Sequence, residues 1–127
     1  MASTSQWHVL VVEDEPDGQE VVQNLLDYFN IAADAVGTAE EAIEFLHDRR
    51  YHAAVIDLAL PNMDGIELVT AIRRNEETTQ LPCLAITAFH TSAVKQQALG
   101  VGFDAYVPKP INNKMFINEL ERIIAKS

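Results

Sequence analysis

The stretch VIDLALPNMDG, residues 55–65, joins an apolar run to a loop through a single aspartate, Asp57. A carboxylate at the end of an apolar strand is costly to bury unless something binds to it and compensates its charge. The loop that follows contains Pro, Asn, Asp and Gly, which are the residues that form turns. The stretch therefore predicts a buried strand, a sharp turn and a ligand site where the two meet.

Five strand-like segments alternate with five helix-like segments along the chain. This alternation predicts an α/β domain in which helices cover both faces of a five-stranded parallel sheet. The first, third and fourth strands are almost continuously apolar, as strands buried on both faces should be. The predicted strands span 8–12, 31–36, 52–57, 81–87 and 103–107, and the predicted helices span 15–29, 38–48, 64–74, 91–100 and 112–126.

Three helix ends carry recognisable signals in the sequence. Thr38 is followed three residues later by Glu41, which predicts a reciprocal capping box at the second helix. Asp64 is a suitable N-cap for the third helix. Gly100 follows a short polar segment, and we expect it to end the fourth helix.

The composition limits the classes of function. A length of 127 residues predicts one domain, and we expect residues 7–127 to form it after an N-terminal extension of residues 1–6. A net charge of −10 argues against direct binding of nucleic acid. No apolar run approaches the ~20 residues of a membrane helix, and the start MASTSQWH lacks the features of a signal peptide. We therefore expect a cytoplasmic protein without membrane contact.

Polar side chains follow several of the predicted strands at the same end. Glu13 and Asp14 follow the first strand, Asp57 ends the third, Thr87 ends the fourth, and Lys109 follows the fifth. Ligands of such sheets bind outside the carboxyl ends of the strands. We therefore expect three carboxylates, a hydroxyl and an ammonium group to converge on one edge of the sheet.

This set of side chains suits a divalent cation and phosphoryl transfer. Three neighbouring carboxylates should raise one another's pKa, and Mg²⁺ or Mn²⁺ bound by oxygen ligands removes that conflict. The four histidines are scattered and give no zinc spacing. Asp57 is the candidate nucleophile for an aspartyl phosphate. The cation and Lys109 would neutralise the phosphoryl oxygens, and Thr87 would donate a hydrogen bond to one of them.

The motifs VLVVEDEP (9–16), VIDLALPNMDG (55–65), AITA (85–88) and YVPKP (106–110) resemble those of the receiver domain of bacterial two-component response regulators. This family includes the chemotaxis regulators, and the resemblance covers about residues 7–125. It implies a flavodoxin-like sheet with the strand order 2-1-3-4-5.

The resemblance also implies a role for each site residue. Asp57 would accept a phosphoryl group from a sensor histidine kinase or a histidine phosphotransfer protein. Glu13, Asp14, Asp57 and the backbone carbonyl of Ala59 would hold Mg²⁺. Thr87 and Lys109 would contact the phosphoryl group, and the protein would be a signalling switch whose only catalysis is its own phosphorylation and dephosphorylation.

Three further expectations come from the resemblance. Tyr106 would turn inward when Thr87 moves, and the bond between Lys109 and Pro110 would be cis. A downstream protein would bind the face formed by the fourth helix, the fifth strand and the fifth helix. We expect Val94, Lys95, Tyr106, Val107 and Asn113 to be exposed there.

In the family, the residues two positions after Asp57 and Thr87 tune how fast water removes the phosphoryl group. These positions hold Ala59 and Phe89 here, and neither side chain can orient a water molecule by hydrogen bonding. We therefore expect self-dephosphorylation to be unassisted and of moderate or slow rate.

Three other functions remain open at this point. A small aspartyl-phosphate phosphatase would need an acid at position 59, which is Ala. A flavin carrier would need a hydroxyl-rich phosphate loop after the first strand, where the sequence EDEPDG (13–18) is acidic. A degenerate receiver would act as a binding module that does not depend on phosphorylation. The sequence names neither the kinase nor the target, and the domain is either a stand-alone receiver or a part of a longer protein.

Overall fold

A five-stranded parallel sheet forms the centre of the protein, in the order β2-β1-β3-β4-β5. The structure is a computed structural model, and it describes residues 6–126. Residues 1–5 of the expected N-terminal extension therefore lie outside the described residues. The strands are β1 (His8–Val12), β2 (Ala32–Val36), β3 (Ala53–Asp57), β4 (Cys83–Thr87) and β5 (Ala105–Pro108).

Five helices cover the two faces of the sheet. Leu26 and Phe116 belong to the core on one face, under the first and last helices. Leu68 and Ala98 belong to the core on the other face, under the three helices between them. The helices are α1 (Pro16–Tyr28), α2 (Ala39–Asp48), α3 (Gly65–Arg74), α4 (Ser92–Val101) and α5 (Asn113–Lys126). Within residues 6–126, no helix is both long and apolar enough to cross a membrane.

The structure confirms the fold class and every element predicted from the sequence, and the predicted ends differ from the observed ones by at most two residues. It also confirms the strand order that the resemblance implied. β3 and β4 are buried at all five of their residues, which explains their unbroken apolar sequence. β2 lies at the edge of the sheet and is only partly buried, which explains its weaker pattern.

Two predictions about helix ends were wrong. Gly100 does not end α4, which continues to Val101, and the residue that ends it is Gly102, whose φ of 128° suits glycine. At α2, Thr38 caps the amide of Glu41, but the Glu41 carboxylate accepts from the amide of Gly37, so the box is not reciprocal. A complete capping box is present at α3 instead, where a carboxylate rather than a hydroxyl is the N-cap.

The expected exposure of two residues on the α4–β5–α5 face was also wrong. Tyr106 and Val107 are buried, because β5 is covered by helices on both faces of the sheet. Lys95 and Asn113 are exposed as expected, and Val94 is half-buried. Helix side chains, not strand side chains, therefore dominate the accessible part of this face.

Arg73, in the last turn of α3, ties together loops at the amino-terminal edge of the sheet. Its guanidinium donates to the carbonyl of Gly102 at 2.8 and 3.0 Å, and to the carbonyls of Leu81 at 2.7 Å and Thr79 at 3.0 Å. It also pairs with the Asp104 carboxylate at 2.9 Å. One planar fork thus joins α3 to the segments that lead into β4 and β5.

We predict that Arg73→Lys lowers the free energy of unfolding by about 2 kcal/mol, because an ammonium group cannot serve these acceptors at once. Arg74→Lys is the matched control, since Arg74 is an exposed neighbour on the same turn, and its effect should stay within about 0.5 kcal/mol. Urea denaturation of both variants measures the difference. Equal effects of the two substitutions would contradict the role assigned to Arg73.

Candidate functional site

Three carboxylates meet at the carboxyl ends of β1 and β3. These strands are neighbours, and their register pairs Val12 with Ile56, so Glu13 and Asp57 emerge side by side. One oxygen each of Glu13, Asp14 and Asp57 lies within 4.8 Å of the others. Glu13 and Asp57 are buried, and Asp14 is exposed. The predicted acidic cluster is therefore present, with one open side toward solvent.

Lys109 brings a positive charge into this cluster from the loop after β5. Its Nζ lies 2.8 Å from Oδ2 of Asp57 and 3.2 Å from Oε1 of Glu13. The backbone amide of Lys109 donates to the carbonyl of Thr87 at 2.8 Å, which fixes the start of the loop. The peptide bond between Lys109 and Pro110 is cis. Three of the predicted residues, Glu13, Asp14 and Lys109, thus lie around the Asp57 carboxylate.

The loop after Asp57 holds that carboxylate in place from the other side. The amide of Ala59 donates to Oδ1 of Asp57 at 2.9 Å, and the amide of Leu58 donates to the carbonyl of Ile86 at 3.0 Å. The amide of Gly65 donates to the carbonyl of Leu58 at 3.1 Å, and a Cβ at residue 65 would lie only 2.6 Å from the Asp57 carbonyl oxygen. The turn residues of this loop therefore let α3 begin directly against the end of β3.

Burial and charge set the protonation of the site. Burial and, after it, the adjacent Asp57 carboxylate raise the pKa of Glu13 to about 8, and Lys109 partly opposes this rise. Burial also opposes ionisation of Asp57, but the Glu13 carboxyl, Lys109 and the Ala59 amide outweigh it and lower the Asp57 pKa. The pKa of Lys109 is raised overall. Burial alone would lower this pKa, but the Asp57 and Glu13 carboxyls more than offset that effect. The expectation that the carboxylates would raise one another's pKa was wrong for Asp57, because the Glu13 carboxyl and Lys109 both lie against it.

Thr87 lies at the end of β4 with its side chain buried. Among the hydrogen bonds of residues 6–126, its hydroxyl oxygen accepts from the amide of Phe89 at 3.1 Å, and no bond joins it to Asp57. Tyr106 has its ring inward, and its hydroxyl lies 3.1 Å from Nδ1 of His90. Residues 87–90 thus link the end of β4 to the ring of Tyr106.

Sequence reasoning missed two residues that support the site. Gln19 donates from its side-chain amide to the carbonyl of Glu13 at 2.7 Å, which anchors the loop between β1 and α1. His90 contacts Tyr106. Neither stands in a recognisable pattern, because Gln19 contacts a backbone carbonyl that no side-chain pattern marks, and His90 contacts a residue 16 positions away.

The residues of the acidic cluster fit a hard divalent cation. Oε2 of Glu13 is buried and has no hydrogen-bond partner within the described part of the chain, and a buried carboxylate oxygen without a partner is costly. All side-chain donors of the cluster are carboxylate oxygens, which Mg²⁺ and Mn²⁺ prefer. A cation there would satisfy the oxygen and reduce the repulsion between the carboxylates.

The raised pKa of Glu13 makes the metal-free protein less stable as the pH rises. Between pH 4.5 and about 8 the folded protein keeps a proton on Glu13 that the unfolded chain has released, so the free energy of unfolding falls across this window. From pH 5.5 to 7.5, with chelator present, the wild type should lose about 2 kcal/mol more than Glu13→Gln, which cannot titrate. Glu15→Gln, at an exposed neighbour, should behave as the wild type. Equal losses in all three proteins would show that Glu13 has an ordinary pKa.

Comparison with known proteins agrees with this arrangement. A model of the response regulator receiver domain family matches residues 9–121. An uncharacterized 14.6 kDa protein of Leptolyngbya boryana is 32% identical over 112 residues, which cover 88% of this chain and 86% of that protein. The transcriptional regulatory protein TctD of Salmonella typhimurium is 32% identical over 94% of this chain, and the match covers 52% of TctD. The chain therefore spans about half the length of that regulator.

A solved structure shows the same architecture. The receiver domain of sensor histidine kinase PA1611 from Pseudomonas aeruginosa, with a magnesium ion coordinated in its active site cleft, superposes with a TM-score of 0.86. It is 28% identical, and the match covers 94% of this chain and 98% of that one. The family match across most of the sequence, on a sheet of this order with acids at this edge, shows that the chain belongs to the response regulator receiver domain family.

Proposed function

We propose that the protein is a phospho-accepting signalling switch in which Asp57 takes a phosphoryl group from a histidine of a sensor kinase or a histidine phosphotransfer protein. The observation that carries this proposal is the Asp57 carboxylate itself. It is ionised, held by the Ala59 amide and Lys109, and lies within 4.8 Å of two further acids at an edge open to solvent. Receiver domains are signalling modules, and the membership of this chain in that family supports the proposal.

Glu13, Asp14, Asp57 and the backbone carbonyl of Ala59 would hold Mg²⁺, or Mn²⁺ in its place. When bound, the cation supplies positive charge beside the phosphoryl oxygens. The buried oxygen of Glu13 that lacks a partner and the oxygen-only cluster support this assignment. The magnesium ion of the PA1611 receiver domain lies in the cleft of a similar protein and supports it further.

The side chains of this chain account for the transfer step. An oxygen of Asp57 forms the new P–O bond while the P–N bond of the phosphohistidine breaks. Lys109 already lies 2.8 Å from that carboxylate and would neutralise charge on the incoming group. The Thr87 oxygen accepts from the Phe89 amide, which leaves its hydroxyl hydrogen available to donate to a phosphoryl oxygen.

The new charge would change the loops after β4 and β5. A phosphoryl group adds roughly 1.5 to 2 negative charges and would draw Thr87 and Lys109 toward it. Thr87 is linked to Lys109 through the backbone and to Phe89 through its hydroxyl, so both loops would respond together. Only Ala98 of α4 is fully buried, so that helix is weakly packed and free to shift.

The downstream partner would be a protein that binds the α4–β5–α5 face, where Lys95 and Asn113 are exposed. A net charge of −10 supports a protein target over direct contact with nucleic acid or a membrane surface. We place this signalling in the cytoplasm, where histidine kinases present their phosphorylated domains. If the chain is part of a longer protein, as receivers are in TctD, the rest of that protein supplies the output.

Incubation with acetyl phosphate and Mg²⁺ should add one phosphoryl group to the protein, detected by intact mass. Asp57→Asn should abolish the gain, and so should chelation of the metal. Asp64→Asn is the matched control, because Asp64 lies on the same loop and asparagine also caps helices well. Loss of labelling in the control, or labelling that survives in Asp57→Asn, would contradict the proposal and favour a receiver that binds without phosphorylation.

The phosphorylated protein should lose its phosphoryl group slowly, with a half-life of minutes or longer. Ala59 and Phe89 flank the site, both are exposed, and neither carries a polar side chain to orient a water molecule. The phosphorylated Ala59→Asn variant should therefore lose its phosphoryl group faster than the wild type. Ala88→Ser, at an exposed position between Thr87 and Phe89, serves as the control. Inorganic phosphate release measures the rates, and a wild-type half-life of seconds would refute this prediction.

A further inference from the structure

The first turn of α1 leaves a space that the Glu13 side chain fills. Gly18 is the third residue of this helix, and it lies directly over Glu13. A Cβ added at residue 18 would lie 2.7 Å from Cδ and 2.8 Å from Cγ of Glu13, and closer still to Oε1. These distances are shorter than carbon atoms tolerate, so the Glu13 side chain as it stands requires glycine at position 18.

The backbone of Glu13 cannot retreat to relieve such a contact. Its amide donates to the carbonyl of Val36 at 3.0 Å, and its carbonyl accepts from the side chain of Gln19 at 2.7 Å. Glu13 is also 1% exposed, and its Oε1 lies 3.2 Å from Nζ of Lys109. Added bulk at residue 18 would therefore move the Glu13 carboxylate, which is the part that reaches toward Asp14 and Asp57.

We propose that Gly18 is a positioning residue for the cation site, and that Gly18 and Glu13 act as a matched pair. Glutamate is one methylene longer than aspartate, and the space above Gly18 takes up that extra length so that the carboxylate stays level with Asp57. This inference rests on the proposed function, because it assumes that Glu13 is a ligand of the cation. The sequence does not show the pairing, since Gly18 lies in a helix where glycine is otherwise unfavourable.

The pairing predicts that a shorter acid at position 13 removes the need for glycine at position 18. An aspartate there would end one bond earlier and would not extend into the space above residue 18. A methyl group at residue 18 should then be tolerated, since the helical backbone accepts alanine readily. The effect of Gly18→Ala on cation binding should therefore depend on which acid occupies position 13, which is a coupling between the two positions.

The experiment measures Mn²⁺ and Mg²⁺ affinity by calorimetry for wild type, Gly18→Ala, Glu13→Asp and the double variant. Gly18→Ala should weaken binding about tenfold in the wild-type background, as loss of a supporting contact around a metal typically does. The same change should alter binding less than about threefold when Glu13 is replaced by aspartate, because the contact is then absent. Gly100→Ala is the matched control, because a Cβ at this other helical glycine meets no atom within 4 Å, and its affinity should equal that of the wild type.

The outcomes separate this inference from the proposed function. Equal weakening in both backgrounds, or no weakening in either, would overturn the pairing while wild-type binding stands. A wild type that binds neither cation would overturn the proposed function and the pairing with it. Thermal unfolding covers the case in which Gly18→Ala folds poorly. A double variant whose Tm is no lower than that of Glu13→Asp supports the pairing. The pairing is overturned if adding Gly18→Ala to Glu13→Asp lowers the Tm by as much as Gly18→Ala lowers it in the wild type.

Discussion

The pair formed by the Lys109 ammonium and the Asp57 carboxylate is the interaction on which the site depends. Burial at the end of a strand between β1 and β4 favours the protonated form of Asp57, and the positive charge 2.8 Å away opposes this. The Glu13 carboxyl, Lys109 and the Ala59 amide together lower the pKa of Asp57, whereas burial and the adjacent Asp57 carboxylate raise the pKa of Glu13 to about 8. The site thus holds an ionised Asp57 carboxylate beside a buried acid, Glu13, that keeps its proton at neutral pH.

The topology of the sheet explains why these groups meet. All five strands run parallel, so every strand ends at the same edge, and β3 lies between β1 and β4. Glu13 comes from one neighbour of β3 and Thr87 from the other, while Lys109 reaches in from the next strand along. The loops at this edge contain exposed residues such as Ala59 and Phe89, so a charge added at Asp57 acts on segments that have few packing contacts.

Much of this could be predicted from the sequence, because the relevant patterns are local. The apolar runs that end at Asp57 and Thr87, and the acids after the first strand, predicted both the elements and the edge at which they meet. What could not be predicted depends on packing between distant segments. The burial of Tyr106 follows from helices on both faces of β5, and the extension of α4 past Gly100 follows from Gly102 adopting the positive φ instead. The support from Gln19 and His90 has no counterpart in any sequence pattern.

The most direct test of the account is to locate the phosphoryl group chemically. Borohydride reduces an aspartyl phosphate to homoserine, so treatment of the acetyl phosphate-labelled protein followed by peptide mass mapping identifies the residue that carried it. The account predicts homoserine at position 57 and intact acids at Glu13 and Asp14. Conversion at either of those acids, or a phosphoryl group found on a histidine, would contradict it.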